Sequence, residues 1–410
     1  MRRFLTGAGL AALLCCCSVR EPAPTGYSEP DLGWMFLDKG PYTLSCSVEA
    51  GPGPATLQLV TDRSLMAETP EVVFSTETTV DSAGFISVPL GRLEPGFYQV
   101  RLRDSVRWNI GVRPDDVVSA PDAAADFAAF WKETFEALDA IPAWPELKQV
   151  PEWSNGQRTC YELRFRSLAG GVAGGILSIP NAPGRYPAVV QYMGYGAPVF
   201  YFDPSAHPER IDFLVSVRDQ GIFKGNQERW IDRGLASRET FYYRGAFCDA
   251  RRALDVLFSL DKTDPGRVVA MGESQGGALT VVAAAWEERL QAVSLAVPFL
   301  GDYPDYARIV SWPVHEVWEA ADAEGLDRDA LMQMLTYFDV KNFAPGVTCP
   351  VIMAFGLQDP VCPPHTNFSI YNNLGSRECR YFCVPTCGHA MWLEKAWEPV
   401  RDAFLAPYLQ

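Results

Sequence analysis

The run Gly272-Glu273-Ser274-Gln275-Gly276-Gly277 separates two apolar stretches of different kinds. Before it, Arg267-Val268-Val269-Ala270-Met271 is short and rich in β-branched residues, the composition of a strand covered on both faces. After it, Ala278-Leu279-Thr280-Val281-Val282-Ala283-Ala284-Ala285 is apolar all round and reads as a buried helix. A serine with glycine two residues away on each side, between a strand and a helix, marks a very tight turn. Bulky neighbours would clash there, so Gly272 and Gly276 relieve the crowding and leave the Ser274 Oγ exposed at the carboxyl edge of the sheet. Such a short pattern recurs by chance in many chains, and the strand–turn–helix context is what gives it weight. The bland alternative is a packed serine in a glycine turn. A nucleophilic Ser274 needs a base, an acid that orients the base, and donors for a developing oxyanion.

The sequence on both sides repeats strand and helix. Strands are predicted at 161–165, 174–179, 188–192 and 213–217, and a helix at 246–260 leads into the turn. Further strands follow at 292–296, 351–355 and 380–384. Phe127, Phe130, Trp131, Phe135 and Leu138 mark one face of an earlier helix, as core. This alternation predicts an α/β fold over 116–410, a doubly wound, mostly parallel sheet of the α/β-hydrolase type.

In that architecture the acid and the base follow the serine, each in a loop at a strand's carboxyl end. Asp359 follows the strand 351–355 and is where the acid belongs; His389 follows 380–384 and is where the base belongs. Asp359 also reads as an ordinary turn aspartate before proline. His207, His315 and His365 compete with His389, but none lies after the last strand. The oxyanion donors are expected to be the backbone N–H of Gln275, which follows the serine, and that of Tyr195 in Met193-Gly194-Tyr195-Gly196. Cys383-x3-Cys387-x-His389 invites a metal reading, yet no second pair has ligand spacing, and neither metal nor cofactor is expected.

Residues 28–115 read differently. Short alternating strands at 42–48, 56–60, 72–79, 85–88, 98–102 and 106–112, broken by Gly/Pro turns, predict a small all-β immunoglobulin-like sandwich. It carries no histidine and reads as an accessory domain; a carbohydrate-binding module is the alternative. Residues 1–20 resemble an export leader: Met1-Arg2-Arg3 is basic and 4–14 is apolar but too short to span a bilayer. Cys15-Cys16-Cys17 fits a lipoprotein signal, with ordinary secretion as the alternative, so a periplasmic or cell-surface location follows, with membrane contact only through a lipid anchor. Eight cysteines remain, most in apolar contexts that favour free buried thiols. With 35 basic and 50 acidic residues the net charge is −15, which argues against nucleic acid as a partner.

Over roughly residues 121–410 the chain resembles the acetyl xylan esterases related to cephalosporin C deacetylase. The resemblance rests on Met193-Gly194-Tyr195-Gly196, Glu239-Thr240-Phe241-Tyr242-Tyr243-Arg244-Gly245, the serine turn, Val297-Pro298-Phe299-Leu300, Gly356-Leu357-x-Asp359, Cys362-Pro363-Pro364 and Gly388-His389. It implies a serine esterase that removes acetyl groups from sugars, with Ser274, Asp359 and His389 as triad and Tyr195 and Gln275 as oxyanion hole. It also implies homo-oligomers, often hexamers, which the added β-domain could block. Other α/β-hydrolase activities, of the prolyl oligopeptidase or dienelactone type, and a surface carbohydrate-binding protein with a dead hydrolase domain are the rivals. Two positions depart from the family pattern: Asp219 replaces a glycine in Arg218-Asp219-Gln220-Gly221, and Ala390 replaces an acidic residue after His389.

Overall fold

The computed structural model describes residues 26–27, 32–103, 105–225 and 229–410. The leader therefore lies outside the described residues. A ten-stranded sheet runs through the larger part of the chain. Its order across the sheet is Gly26–Tyr27, Cys379–Val384, Val351–Gly356, Leu290–Ala296, Thr263–Glu273, Tyr186–Tyr192, Ile211–Ser216, Val172–Pro180, Arg158–Arg166, Glu146–Gln149. The first seven run parallel, and the last three add antiparallel pairings at one edge, so the sheet is mixed. The parallel strands are buried almost throughout, which is why they read as continuous apolar runs.

Helices cover both faces. Phe127–Asp139 turns Phe130, Trp131, Phe135 and Leu138 inward, and the Trp131 ring packs against Phe247, Phe338 and Phe343. Tyr242–Ser259 begins earlier than the predicted 246 because Tyr242 and Tyr243 are themselves buried in its first turn. Three helices that the sequence pattern did not resolve, Tyr303–Ile309, Val314–Glu324 and Arg328–Leu335, lie between the strands Leu290–Ala296 and Val351–Gly356. They bury only a few residues each, so their apolar period is too sparse to read.

Ahead of the family-like region, five strands form a sheet in the order Met35–Phe36, Val106–Val112, Gly96–Leu102, Gly53–Thr61, Val72–Val80. Two more, Tyr42–Ser47 and Phe85–Gly91, form an antiparallel pair. Leu44, Ile86 and Val88 from the pair share a core with Leu57, Leu59, Val100 and Ile110 from the five. Strict alternation, buried at 42, 44 and 46 and exposed between, places one face of Tyr42–Ser47 on that core.

The opposite face of the five-stranded sheet docks on the hydrolase. Phe97 meets Phe368 with ring centroids 5.7 Å apart. The Gln358 side chain behaves like a strand neighbour of Asn109: its Oε1 accepts the Asn109 N–H at 2.7 Å and its Nε2 donates to the Asn109 carbonyl at 3.2 Å. His365, almost wholly buried, completes the seam. Its Nδ1 lies 3.2 Å from an Asp62 oxygen on the β side, and its Nε2 lies 3.2 Å from an Asp305 oxygen on the hydrolase side. Burial opposes a charge on His365, but Asp62 and Asp305 outweigh it and raise the pKa from 6.5 to about 10.

A raised histidine pKa stabilises the fold fully below the ordinary value near 6.5, and that contribution is lost as pH climbs through about 10. The thermal midpoint should therefore decline across that interval. Asp62→Ala strips one carboxylate from a buried cation and is expected to cost about 3–5 kcal/mol, with a flatter pH dependence. Unfolding curves at a series of pH values check both.

Candidate active site

Ser274 sits at φ 56° and ψ −121°, a conformation that a residue with a side chain adopts only when its surroundings hold it. The crowding is severe on both sides. A Cβ on Gly272 would meet the Gly276 carbonyl oxygen at 2.1 Å, and one on Gly276 would meet the Tyr192 carbonyl oxygen at 2.1 Å. The turn is held by its neighbours: Ser274 N–H donates to Ala296 O at 2.9 Å, and Phe299 N–H donates to Ser274 O at 3.1 Å. Register does the rest. Tyr192 pairs with Gly272, so residues 193–197 leave the sheet beside the serine.

The three residues expected from strand order converge. His389 Nε2 lies 3.0 Å from Ser274 Oγ, and His389 Nδ1 lies 2.9 Å from Asp359 Oδ2. The Asp359 side chain is wholly buried, and its other oxygen accepts the N–H groups of Val361 and Cys362 at 2.7 and 2.9 Å. Those amides orient the carboxylate toward the ring. The arrangement can pass a proton from the hydroxyl to the imidazole, with the carboxylate opposing rotation of the ring. Of the rivals, His207 is exposed in a loop, His315 is half-buried at the start of the helix Val314–Glu324, and His365 belongs to the docking seam.

Tyr195 and Gln275 are brought together by a buried polar network. Gln275 is fully buried, and its side chain exchanges hydrogen bonds with that of Gln220 at 3.0 and 3.1 Å. Tyr243 OH donates to Gln275 Oε1 at 3.1 Å, and Gly196 N–H donates to Gln220 Oε1 at 3.1 Å. Gln220 thus ties the 193–197 loop to the serine turn. Tyr195 OH in turn accepts the Trp230 N–H at 2.7 Å, anchoring the loop's other side. Among the described residues, no backbone acceptor takes the N–H of Tyr195 or Gln275.

The departure at Asp219 has a clear resolution. Asp219 takes the left-handed conformation a glycine would favour, at φ 63°, and Arg233 holds its carboxylate at 2.9 Å. Arg218 remains paired with buried Asp249 at 2.7 Å. The motif keeps its geometry, and Gln220 keeps its reach.

A cavity of about 510 Å³ opens over Ser274 and His389, walled by Met193, Ile231, Phe299 and Val361. Phe200, Trp312 and Trp392 stand around it with 43, 45 and 61% of their surfaces exposed. These rings, Gln220 and Glu273 were not singled out from the sequence as site residues. The legible signals were a tryptophan three residues past the base, the place of Glu273 beside Ser274, and that of Gln220 in Arg218-Asp219-Gln220-Gly221. Cys46, Cys160, Cys248, Cys349, Cys362 and Cys387 carry free thiols. Asp302, Asp305 and His365 are the described residues grouped closely enough to ligate a metal. Their carboxylates are met by the protein's own cations, Lys341 on Asp302 at 2.9 Å and Arg308 on Asp305 at 3.1 Å.

The fold and this geometry are those of an α/β-hydrolase carboxylesterase. Residues 117–391 match the model of the acetyl xylan esterase (AXE1) family, and the chain belongs to that family. It is similar to acetyl esterase Axe7A of Xylanibacter ruminicola, 26% identical over 307 residues that span 68% of this chain and 67% of the relative. Among solved structures it resembles acetyl xylan esterase 1 from Thermoanaerobacterium sp., with TM-score 0.64 and 26% identity, covering 73% of this chain and 98% of that one. The acetyl xylan esterase from Paenibacillus sp. shares the fold, with TM-score 0.65 and 24% identity, over 72% and 99% of the two chains. The β-sheet unit lies ahead of the family match.

Gln220→Ala should loosen the 193–197 loop from the serine turn. The expected result is a fall in kcat of roughly tenfold or more with KM little changed, measured on an activated acetate ester.

Proposed function

We propose that this protein is an exported serine esterase that removes acetyl groups from acetylated xylan or xylo-oligosaccharides through an acetyl-enzyme. The observation that carries the reading is the continuous chain from Asp359 through His389 to the Ser274 hydroxyl, with links of 2.9 and 3.0 Å. Ser274 Oγ attacks the acetyl carbonyl carbon while its proton passes to His389 Nε2. The oxyanion accepts hydrogen bonds from the N–H groups of Tyr195 and Gln275. Collapse breaks the bond to the sugar oxygen, which leaves with the proton from His389, and the acetyl group stays on Ser274. Water then adds to the carbonyl, gives its proton to the same nitrogen, and acetate leaves as Ser274 recovers its hydrogen.

The exposed rings of Phe200, Trp312 and Trp392 support a sugar substrate, because the C–H faces of a sugar pack on flat aromatic surfaces. Export rests on the basic and apolar leader, with lipid anchoring at one of Cys15 to Cys17 as its extension. The β-sheet unit is inferred to be an immunoglobulin-like accessory domain, and its docked position bears on which homo-oligomers can form.

Ser274→Ala should abolish release of p-nitrophenol from p-nitrophenyl acetate without altering the circular dichroism spectrum; full activity in the variant would sink the reading. A panel of acetyl, butyryl and peptide substrates, with acetate release from acetylated xylo-oligosaccharides, tests the substrate. Strong preference for acetate is expected, and faster peptide cleavage would move the protein to the peptidase reading.

A further inference from the structure

The face of the five-stranded sheet that docks on the hydrolase does not fill all the space in front of it. A cleft of about 470 Å³ remains between that face and Ile309, Val310 and residues 358–360 of the hydrolase. Alternation along the strands decides what lines it. Tyr98, Val100 and Leu102 belong to the β core, as do Trp108 and Ile110, so Gln99, Arg101, Arg107 and Asn109 lie on the cleft side. Arg101 and Arg107 are direct partners across the strands Gly96–Leu102 and Val106–Val112. Like charges directly opposite each other destabilise a sheet. Among the described residues, no ion pair joins either guanidinium to a carboxylate. Partial burial and the facing Arg107 both lower the Arg101 pKa from its ordinary value, and no acid offsets them.

The acids that line the same cleft are engaged elsewhere, Asp62 on His365 at 3.2 Å and Asp359 on His389 at 2.9 Å. A chain with a net charge of −15 thus keeps two uncompensated cations side by side in a cleft. The cleft and the cavity over Ser274 also share their walls. On the acid loop, Asp359 and Pro360 border the cleft and Val361 borders the cavity. After the helix Tyr303–Ile309, Val310 borders the cleft while Trp312 and Pro313 border the cavity. A saccharide with one sugar at Ser274 has the cleft as a near neighbour. Two guanidiniums suit a carboxylate, the Gln99 amide suits hydroxyls, and Leu65 and Phe97 offer apolar contact to a sugar ring. A long polyanion would meet repulsion from the rest of the acidic surface.

We propose that this cleft is a saccharide subsite for a uronic acid, whose carboxylate is held by Arg101 and Arg107. Binding there requires no chemistry at Ser274. Its consequence, a preference for acidic acetylated oligosaccharides, rests on the esterase reading. The β-sheet unit then takes part in substrate choice as well as in support of the acid loop.

Titration calorimetry on the full-length protein compares methyl glucuronoside, methyl xyloside and sodium sulfate. The glucuronoside should bind at least about tenfold more tightly than either of the others, and less tightly as salt is added. Arg101→Gln and Arg107→Gln should each weaken it about tenfold, the equivalent of one charge-assisted hydrogen bond. The double variant should lose binding with a thermal midpoint no lower than the wild type's, because a like-charge pair is removed. Arg107 is exposed, so R107Q alone carries the test if the double variant fails to fold. Equal binding of sulfate would mark a general anion site, and equal binding of the xyloside a neutral-sugar site. Either result overturns the proposal, as does a glucuronoside that does not bind or that binds the variants undiminished. A second arm measures kcat/KM for acetylated xylo-oligosaccharides with and without a glucuronate branch. The wild type should favour the branched form, and R107Q should lose that preference. Equal turnover of the two by the wild type would overturn the proposal; turnover of neither, with the glucuronoside still bound, would overturn the esterase reading alone.

Discussion

The site depends on a close approach of backbones. At the serine turn the chain passes so near itself that a single extra carbon on Gly272 or Gly276 would overlap a carbonyl oxygen at 2.1 Å. That crowding holds Ser274 in a conformation it would not keep alone and projects its hydroxyl out of the sheet. The strain is contained because the turn is overdetermined. The Ala296 carbonyl and Phe299 amide hold the serine's backbone, and a helix buried from Gln275 to Ala284 follows at once.

The polar network behind the turn gives it a second function. Gln220, Gln275 and Tyr243 leave no side-chain polar atom of either glutamine unpaired, so a low-dielectric interior favours one arrangement of them. Because Gln220 also holds Gly196 N–H, the loop carrying Tyr195 and the turn carrying Gln275 are located by a single hydrogen-bonded unit. The Arg218–Asp249 pair and the Asp219–Arg233 pair secure the segment that presents Gln220. A motif far from the serine in sequence thus belongs to the site by geometry.

The β-sheet unit bears on the same site from the other side. Gln358, whose amide pairs with the backbone of Asn109, is the residue before Asp359. Asp359, in turn, is the carboxylate that meets His389. His365 bridges the two parts of the chain a few residues further on. The β unit therefore buttresses the acid loop, and the docking surface is polar and charged as well as aromatic.

Much of this was legible in one dimension. Parallel strands buried on both faces must be apolar, and their loops must lie at carboxyl ends, so Ser274, Asp359 and His389 could each be located by strand order alone. The glycines at 272 and 276 were readable because only hydrogen fits there. The antiparallel edge was not readable, since Val172–Pro180 is buried almost throughout like its parallel neighbours. Nor were the helices 303–335, whose buried faces are narrow. Which histidine joins the seam and how Asp219 replaces glycine were decided only in three dimensions. Local sequence determines what a turn or strand can be; contacts between residues more than a hundred positions apart depend on how the layers pack, and only the tertiary structure decides those.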